Sequence, residues 1–304
     1  MKTQTRMHHG LKFAFSIAAT ALFLLPRIGV AGNWNAKNVS ELIAAINAAN
    51  SAGGVNTITL APGKAFTLTT VNNTTDGPNG LPVIAANNNL TIRGNGATIS
   101  RSKATGTPAF RLFDVAPGAS LALDSLTLAN GLVVGDTGMD ASGGAILNSA
   151  GATLAVKYSI LLNNQVVGGD GAGGLGGFGY GGAVCSDGTA NFDGVIFHSN
   201  QARGGATANS PDLSGFGGAA LGGAIVSQND GTLAPLQLLS DPDPSRDRIY
   251  DPLLQQHTFF RRPRSGHSFG SRTAYHILYR VRFLSLIVLY VALSYTFHLP
   301  ITKL

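Results

Sequence analysis

Cysteine and charge are scarce in this 304-residue chain, with a single Cys and only 12% charged residues. One cysteine excludes an internal disulfide framework, so the fold has to be held by packing and backbone pairing. That residue, Cys185, closes the stretch Gly181 to Cys185, where the neighbouring repeats place Leu147 and Val226. It reads as a small apolar strand residue and not as a reactive thiol. Between residues 33 and 233 there is one histidine, His198. A lone imidazole at an alternating strand position reads as a surface side chain.

Basic charge is also missing where a nucleic-acid partner would need it. The net charge is +6, but residues 1–32 carry four Lys/Arg and no acid, and residues 236–304 carry nine basic against four acidic residues. Residues 33–235 carry eight basic and eleven acidic residues, a net of −3. Nucleic-acid binding calls for a basic stripe on the folded domain, so no nucleic acid is expected as a partner.

The two ends differ from the middle. Lys2, Arg6 and Lys12 precede the apolar run Phe13–Leu25 and the small-residue exit Gly29-Val30-Ala31. That order predicts an export signal over residues 1–31. Beyond residue 233 Pro235, Pro242, Pro244, Pro252 and Pro263 appear with an Arg-rich run, and Phe283–Leu299 is apolar. The apolar segment is close to the lower limit for a membrane helix, about 17 residues. Residues 234–304 are therefore expected to be either an out-of-frame or truncated continuation or a tail that reaches a membrane.

What the middle does have is an internal repeat. Gly143-Gly144-Ala145-Ile146 returns as Gly181-Gly182-Ala183-Val184 and as Gly222-Gly223-Ala224-Ile225. Leu154–Gln165 aligns with Ala190–Gln201, and Leu121–Gly131 fits the same frame. Within each block the apolar residues alternate with a period of two, as in Leu121/Leu123, Leu126/Leu128 and Leu154/Val156. Such short runs can bury a face only by stacking in parallel, about 4.8 Å apart. An all-β, right-handed parallel β-helix over residues 32–233 is predicted, with three short strands per coil.

Earlier strands are expected at Thr57–Leu60, Phe66–Thr70, Leu90–Arg93, Ala97–Ser100 and Phe110–Val115. One amphipathic helix, Val39–Ala49, places Val39, Leu42, Ile43, Ile46 and Ala49 on one face. Asn38 or Ser40 can cap it, and it would cover the open first coil with Trp34 packed nearby. Asn164 and Asn200 fall at one place in successive coils, a register that predicts a stacked amide ladder. Asp124, Lys157 and Asp193 also align, as a surface column of alternating sign.

Gly143-Gly144-Ala145-Ile146 paired with Phe197-His198-Ser199-Asn200 resembles the passengers of polymorphic outer-membrane proteins, a branch of autotransporter-like surface proteins. The opening Val39–Asn50 followed by Asn56–Leu60 is similar to the N-terminal segment of many bacterial secreted β-helix proteins. One block departs from the motif, with Leu161 in place of Phe. The resemblance implies a pectin-lyase-like solenoid at a cell surface or outer membrane, or secreted. It implies adhesion more than catalysis, with a cell-surface glycan or a protein of a neighbouring or host cell as partner.

Catalysis is tested against the residues present. Glycoside hydrolysis needs two carboxylates, about 5 Å apart for retention or about 6.5–9.5 Å for inversion. Asp124 and Asp193 are two coils apart, about 9.6 Å by stacking. Lys157 between them favours two ionised groups, which leaves neither as a general acid. They are the alternative catalytic pair, for a polysaccharide lyase or hydrolase acting on acidic polysaccharide; the leading expectation is a charge ladder without catalysis. Asp136, Asp140, Asp170 and Asp187 are scattered and do not form a calcium cluster. Gly169-Asp170-Gly171-Ala172-Gly173-Gly174 matches G-x-G-x-x-G, but ten of the fifteen residues from Gly168 to Gly182 are Gly and no strand–helix frame surrounds it. No cofactor or metal site is expected. Residues 166–181 and 202–221 read as flexible loops on one side of the stack, the best place for contacts.

Overall fold

Short stretches with every second side chain apolar can hide that face only against a like face directly above or below. That stacking is what forms in the computed structural model, which describes residues 31–171, 175–206 and 218–227, with the backbone of 249–251 and 256–258. The charged and apolar parts of the expected export signal, and the apolar stretch 283–299, lie outside the described residues.

β1 (Gly32–Ala36) leads into α1 (Val39–Ala52), and the first coil follows as β2 (Gly54–Leu60) and β3 (Ala65–Leu68). The second coil is β4 (Asn88–Arg93), β5 (Thr98–Arg101) and β6 (Phe113–Val115). A longer coil comes next: β7 (Ser120–Asp124), β8 (Thr127–Ala129), β9 (Leu132–Val134), β10 (Ala141–Ser142) and β11 (Ile146–Asn148). It repeats as β12 (Thr153–Lys157), β13 (Ile160–Leu162), β14 (Gln165–Val167), β15 (Gly179–Tyr180) and β16 (Val184–Ser186). The same order returns in β17 (Thr189–Asp193), β18 (Ile196–His198), β19 (Gln201–Arg203), β20 (Ala220–Leu221) and β21 (Ile225–Ser227). β22 (Ile249–Asp251) pairs parallel to β21, and β23 (Gln256–Thr258) pairs antiparallel to β22.

The strands form a parallel β-solenoid. The first sheet runs β1-β2-β4-β7-β12-β17, the second β3-β5-β8-β13-β18, and the third β6-β11-β16-β21-β22-β23. The described residues are therefore mostly β, as the repeat requires, with one short helix. Inside, Leu90, Leu121, Leu154 and Ala190 make one column of the first sheet, and Ile58, Ile92, Leu123, Val156 and Phe192 make the next. All nine are buried. Each large member contributes about 1.5–3 kcal/mol relative to exposure, which is how runs of three to seven residues become stable together.

α1 closes the first coil. Asn38 caps it, its Oδ1 accepting from the Glu41 amide at 2.9 Å, while Glu41 Oε2 accepts from the Lys37 amide at 2.8 Å. The buried face is Leu42, Ala45, Ile46 and Ala49; Val39, Ile43 and Trp34 pack against it half-buried. β1 was not expected from the sequence. It adds an edge to the first sheet, in register with β2 from Gly32↔Asn56 to Ala36↔Leu60.

Two expectations are corrected. The later coils have five strands and not three, because β9-β14-β19 and β10-β15-β20 form two further three-stranded sheets. The described parts of 166–181 and 202–221 are accordingly not free loops but a hydrogen-bonded glycine lobe. Gly169 donates to Met139 O, Gly177 to Gly169 O, Gly205 to Gly177 O and Gly218 to Gly205 O, all at 2.9 or 2.8 Å. Lack of a side chain is what permits this: a Cβ on Gly177 would stand 1.9 Å from Met139 O. Backbone packs against backbone, and composition alone does not distinguish that from a flexible linker.

Candidate functional site

The surface column comes directly from strand register. Lys157 of β12 pairs with Asp124 of β7 on one side and Asp193 of β17 on the other, and Arg93 of β4 pairs with Asp124. Four charges thus alternate in sign, one rung more than expected, because Arg93 was read only as a strand end. Lys157, Asp193 and Arg93 are exposed and Asp124 is half-buried. The Ser125 hydroxyl donates to Asp124 Oδ1 at 2.7 Å. Lys157 sits where a substrate would have to enter between the two aspartates.

The amide ladder forms where it was expected, at the corner after the second sheet. Asn164 Nδ2 donates to Asn200 Oδ1 at 2.9 Å and to Leu128 O at 3.1 Å, and Asn164 Oδ1 accepts from the Gly131 amide at 2.9 Å. Asn200 Nδ2 donates to Leu161 O at 2.8 Å. Gln165 and Gln201 continue the ladder outside, Nε2 to Oε1 at 3.1 Å. Each amide satisfies backbone groups of the rung below, which a buried corner would otherwise leave unpaired.

A second polar cluster went unread in the sequence. On the outer side of the third sheet, Asp114, Leu147, Cys185 and Val226 form one column, opposite the core column Phe113, Ile146, Val184 and Ile225. Arg111 runs across that outer side. Its Nη1 donates to Asp76 O at 2.6 Å and to Asn79 Oδ1 at 3.3 Å, and its Nη2 donates to Ser142 O at 3.2 Å. Asn79 Nδ2 donates in turn to Asp114 Oδ2 at 3.2 Å, so one amide bridges the opposite charges. The cover is the hairpin of residues 72–79, closed by Asn79 to Asn73 pairing. Arg111 is 2% exposed and Asp114 not at all.

Burial governs the titration of this cluster. It pushes the Asp114 carboxyl up to about 6, against the pull of Arg111; Asp76 adds to the rise and the Asn79 hydrogen bond opposes it. Desolvation also lowers the Arg111 guanidinium, which Asp114 resists. Burial raises the Cys185 thiol to about 12, helped by Asp187 and opposed by Ser142 and Arg111. A thiol held that high is protonated and inert at neutral pH, in line with the apolar strand role expected for Cys185. Sealed as it is, the cluster can meet no substrate unless the hairpin lifts. One signal could have pointed to it: Arg111 and Asp114 interrupt Phe110–Val115, a run otherwise apolar.

The remaining candidates are spread apart. His198 lies exposed at the end of β18. Asp140 Oδ1 accepts from the Phe178 amide and Asp170 Oδ1 from the Ala206 amide, both at 2.7 Å, so these carboxylates brace the glycine lobe. Among the described residues no three His, Cys, Asp or Glu side chains gather where they could hold a metal ion. Comparisons with protein-family models, with curated proteins and with solved structures find no match for this chain.

Proposed function

We propose that the chain is an exported β-solenoid of a cell surface or outer membrane, or secreted, that acts by adhesion or as a surface structure and not by catalysis. Its partner on this reading is a glycan or a protein of a neighbouring cell, met on the outer faces of the coils. The observation that carries the reading is the column Arg93, Asp124, Lys157, Asp193. Alternating charges along an outer face suit recognition, whereas Lys157 occupies the rung between the two carboxylates, where glycoside hydrolysis would need the sugar and its water. The motif pair Gly143–Ile146 and Phe197–Asn200 adds the resemblance to surface passengers.

The test has two arms. A membrane-impermeant biotin reagent should label the chain on intact cells that express it, and the chain staying unlabelled until lysis would sink the surface reading. In the second arm, acidic polysaccharides are assayed for new reducing ends and unsaturated products. No release above blank is expected. Release that disappears in Asp124→Asn and Asp193→Asn would favour the second reading, a polysaccharide lyase or hydrolase. That reading draws on the two-rung separation of the pair, about 9.6 Å and at the edge of the inverting range.

A further inference from the structure

Each long coil turns from the first sheet to the second through one residue in the left-handed region. Those residues are Ser125, Tyr158 and Gly194, with φ of 56°, 47° and 60°. Glycine adopts that conformation freely; an L residue with a bulky side chain is held there at a cost of about 1 kcal/mol or more. Burial could offset the strain, but Tyr158 is 66% exposed. A strained aromatic that the fold leaves in solvent has no explanation in stability.

The setting of the ring supplies one. A Cβ on Gly194 would stand 2.9 Å from Tyr158 Cδ1 and 3.2 Å from Cε1, so the ring leans along the stack over the bare glycine of the next rung. Beside it stand Lys157 and Asp193, paired in register, with Asp124 one rung back. Two residues further along the chain the exposed Ile160 pairs with Ile196. One ring, a cationic donor and two carboxylate acceptors therefore share a corner within about two rungs of 4.8 Å.

We propose that Tyr158 is the stacking platform of a glycan site, which takes a pyranose ring against the aromatic face while Lys157 and Asp193 bind its hydroxyls. The C–H bonds on one face of a pyranose carry partial positive charge and fit the negative face of an aromatic ring. The mixed signs of the column favour a neutral glycan over a polyanion. This rests on the surface-binding reading above and names its ligand class.

The experiment titrates the purified full chain in mild detergent with cellohexaose, chitohexaose and hexagalacturonate. A neutral hexasaccharide should bind the wild type and Tyr158→Phe alike, and bind Tyr158→Gly at least about tenfold more weakly. Tyr158→Gly should melt at or above the wild-type temperature, because the strained residue is gone, so weaker binding cannot be ascribed to misfolding. Tyr158→Gly binding as tightly as the wild type, hexagalacturonate binding tightest, or no hexasaccharide binding at millimolar concentration would each overturn the platform. Failure here with successful labelling on intact cells removes the Tyr158 platform and leaves the surface reading standing.

Discussion

At the corner after the second sheet the buried polar groups are neutral amides, Asn164 and Asn200, on successive rungs; under the hairpin of residues 72–79 they include two charges, Arg111 and Asp114, that occur once. The amide ladder of Asn164 and Asn200 costs only the desolvation of amides, and hydrogen bonds to Leu128 O, Leu161 O and the Gly131 amide repay it. The Arg111–Asp114 cluster takes two charges out of water, at several kcal/mol each by the usual reckoning. It also leaves Arg111 Nε and Asp114 Oδ1 without partners. A ladder of the first kind can be copied into any number of coils. The second kind fixes one hairpin against one face, which is a matter of placement more than of stability.

The largest expected effect comes from a region with neither device. Gly177→Val would drive a side chain into Met139 O, where even a Cβ would lie 1.9 Å away. Unfolding by denaturant should show a loss above about 4 kcal/mol, or no folded protein at all. Wild-type stability in that variant would mean the lobe is not packed backbone on backbone. Next, Arg111→Met strips the buried carboxylate of its counter-charge and should cost about 3–5 kcal/mol at pH 7.

The same variant sharpens the contrast through pH. The folded Asp114 value of about 6 lies above its ordinary 3.8, so the folded protein holds that proton more tightly than the unfolded chain does. The stability it lends is complete below about pH 4 and fades as pH rises through about 6. Asp187, also raised by burial, acts with the same sign. Melting temperatures between pH 4 and 7 should fall with rising pH, more steeply in Arg111→Met; a flat wild-type profile would place Asp114 in contact with water. The smallest effect belongs to the ladder. Asn164→Ala orphans the Gly131 amide and Leu128 O and should cost about 2–3 kcal/mol. Its profile over that pH range should parallel the wild type, because no charge is involved.

How much of this was legible follows from what repeats. Alternation at Leu121/Leu123 and Leu154/Val156, and the returning Gly-Gly-Ala-Ile, carry the parallel stacking, the register of Asp124, Lys157 and Asp193, and the Asn164–Asn200 ladder. β10 and β15 have two residues each and β9 and β14 three, too few to show a period of two, so the third and fourth strands of each long coil were invisible. β1, Gly32–Ala36, follows directly on the expected export signal and has no copy among the later blocks to mark it as a strand. The Arg111 cluster takes Asp76 and Asn79 from 35 and 32 residues upstream, from a hairpin that no later coil repeats. A site assembled from unrepeated pieces leaves no periodic trace.

Phe113, Ile146, Val184 and Ile225 stand in one column although 33, 38 and 41 residues separate them in turn. Most of the drift arises in the glycine lobe, where six residues join β9 to β10, eleven join β14 to β15 and sixteen join β19 to β20; the turn from the third sheet back to the first shortens meanwhile from four residues, β11 to β12, to two, β16 to β17. Five residues gained inside a strand, an odd number, would turn every later side chain from core to solvent. Here they pass without consequence to the sheets. The lobe is an expansion joint, a stretch of the circumference where the gene can lengthen or shorten a turn while every rung keeps its parity.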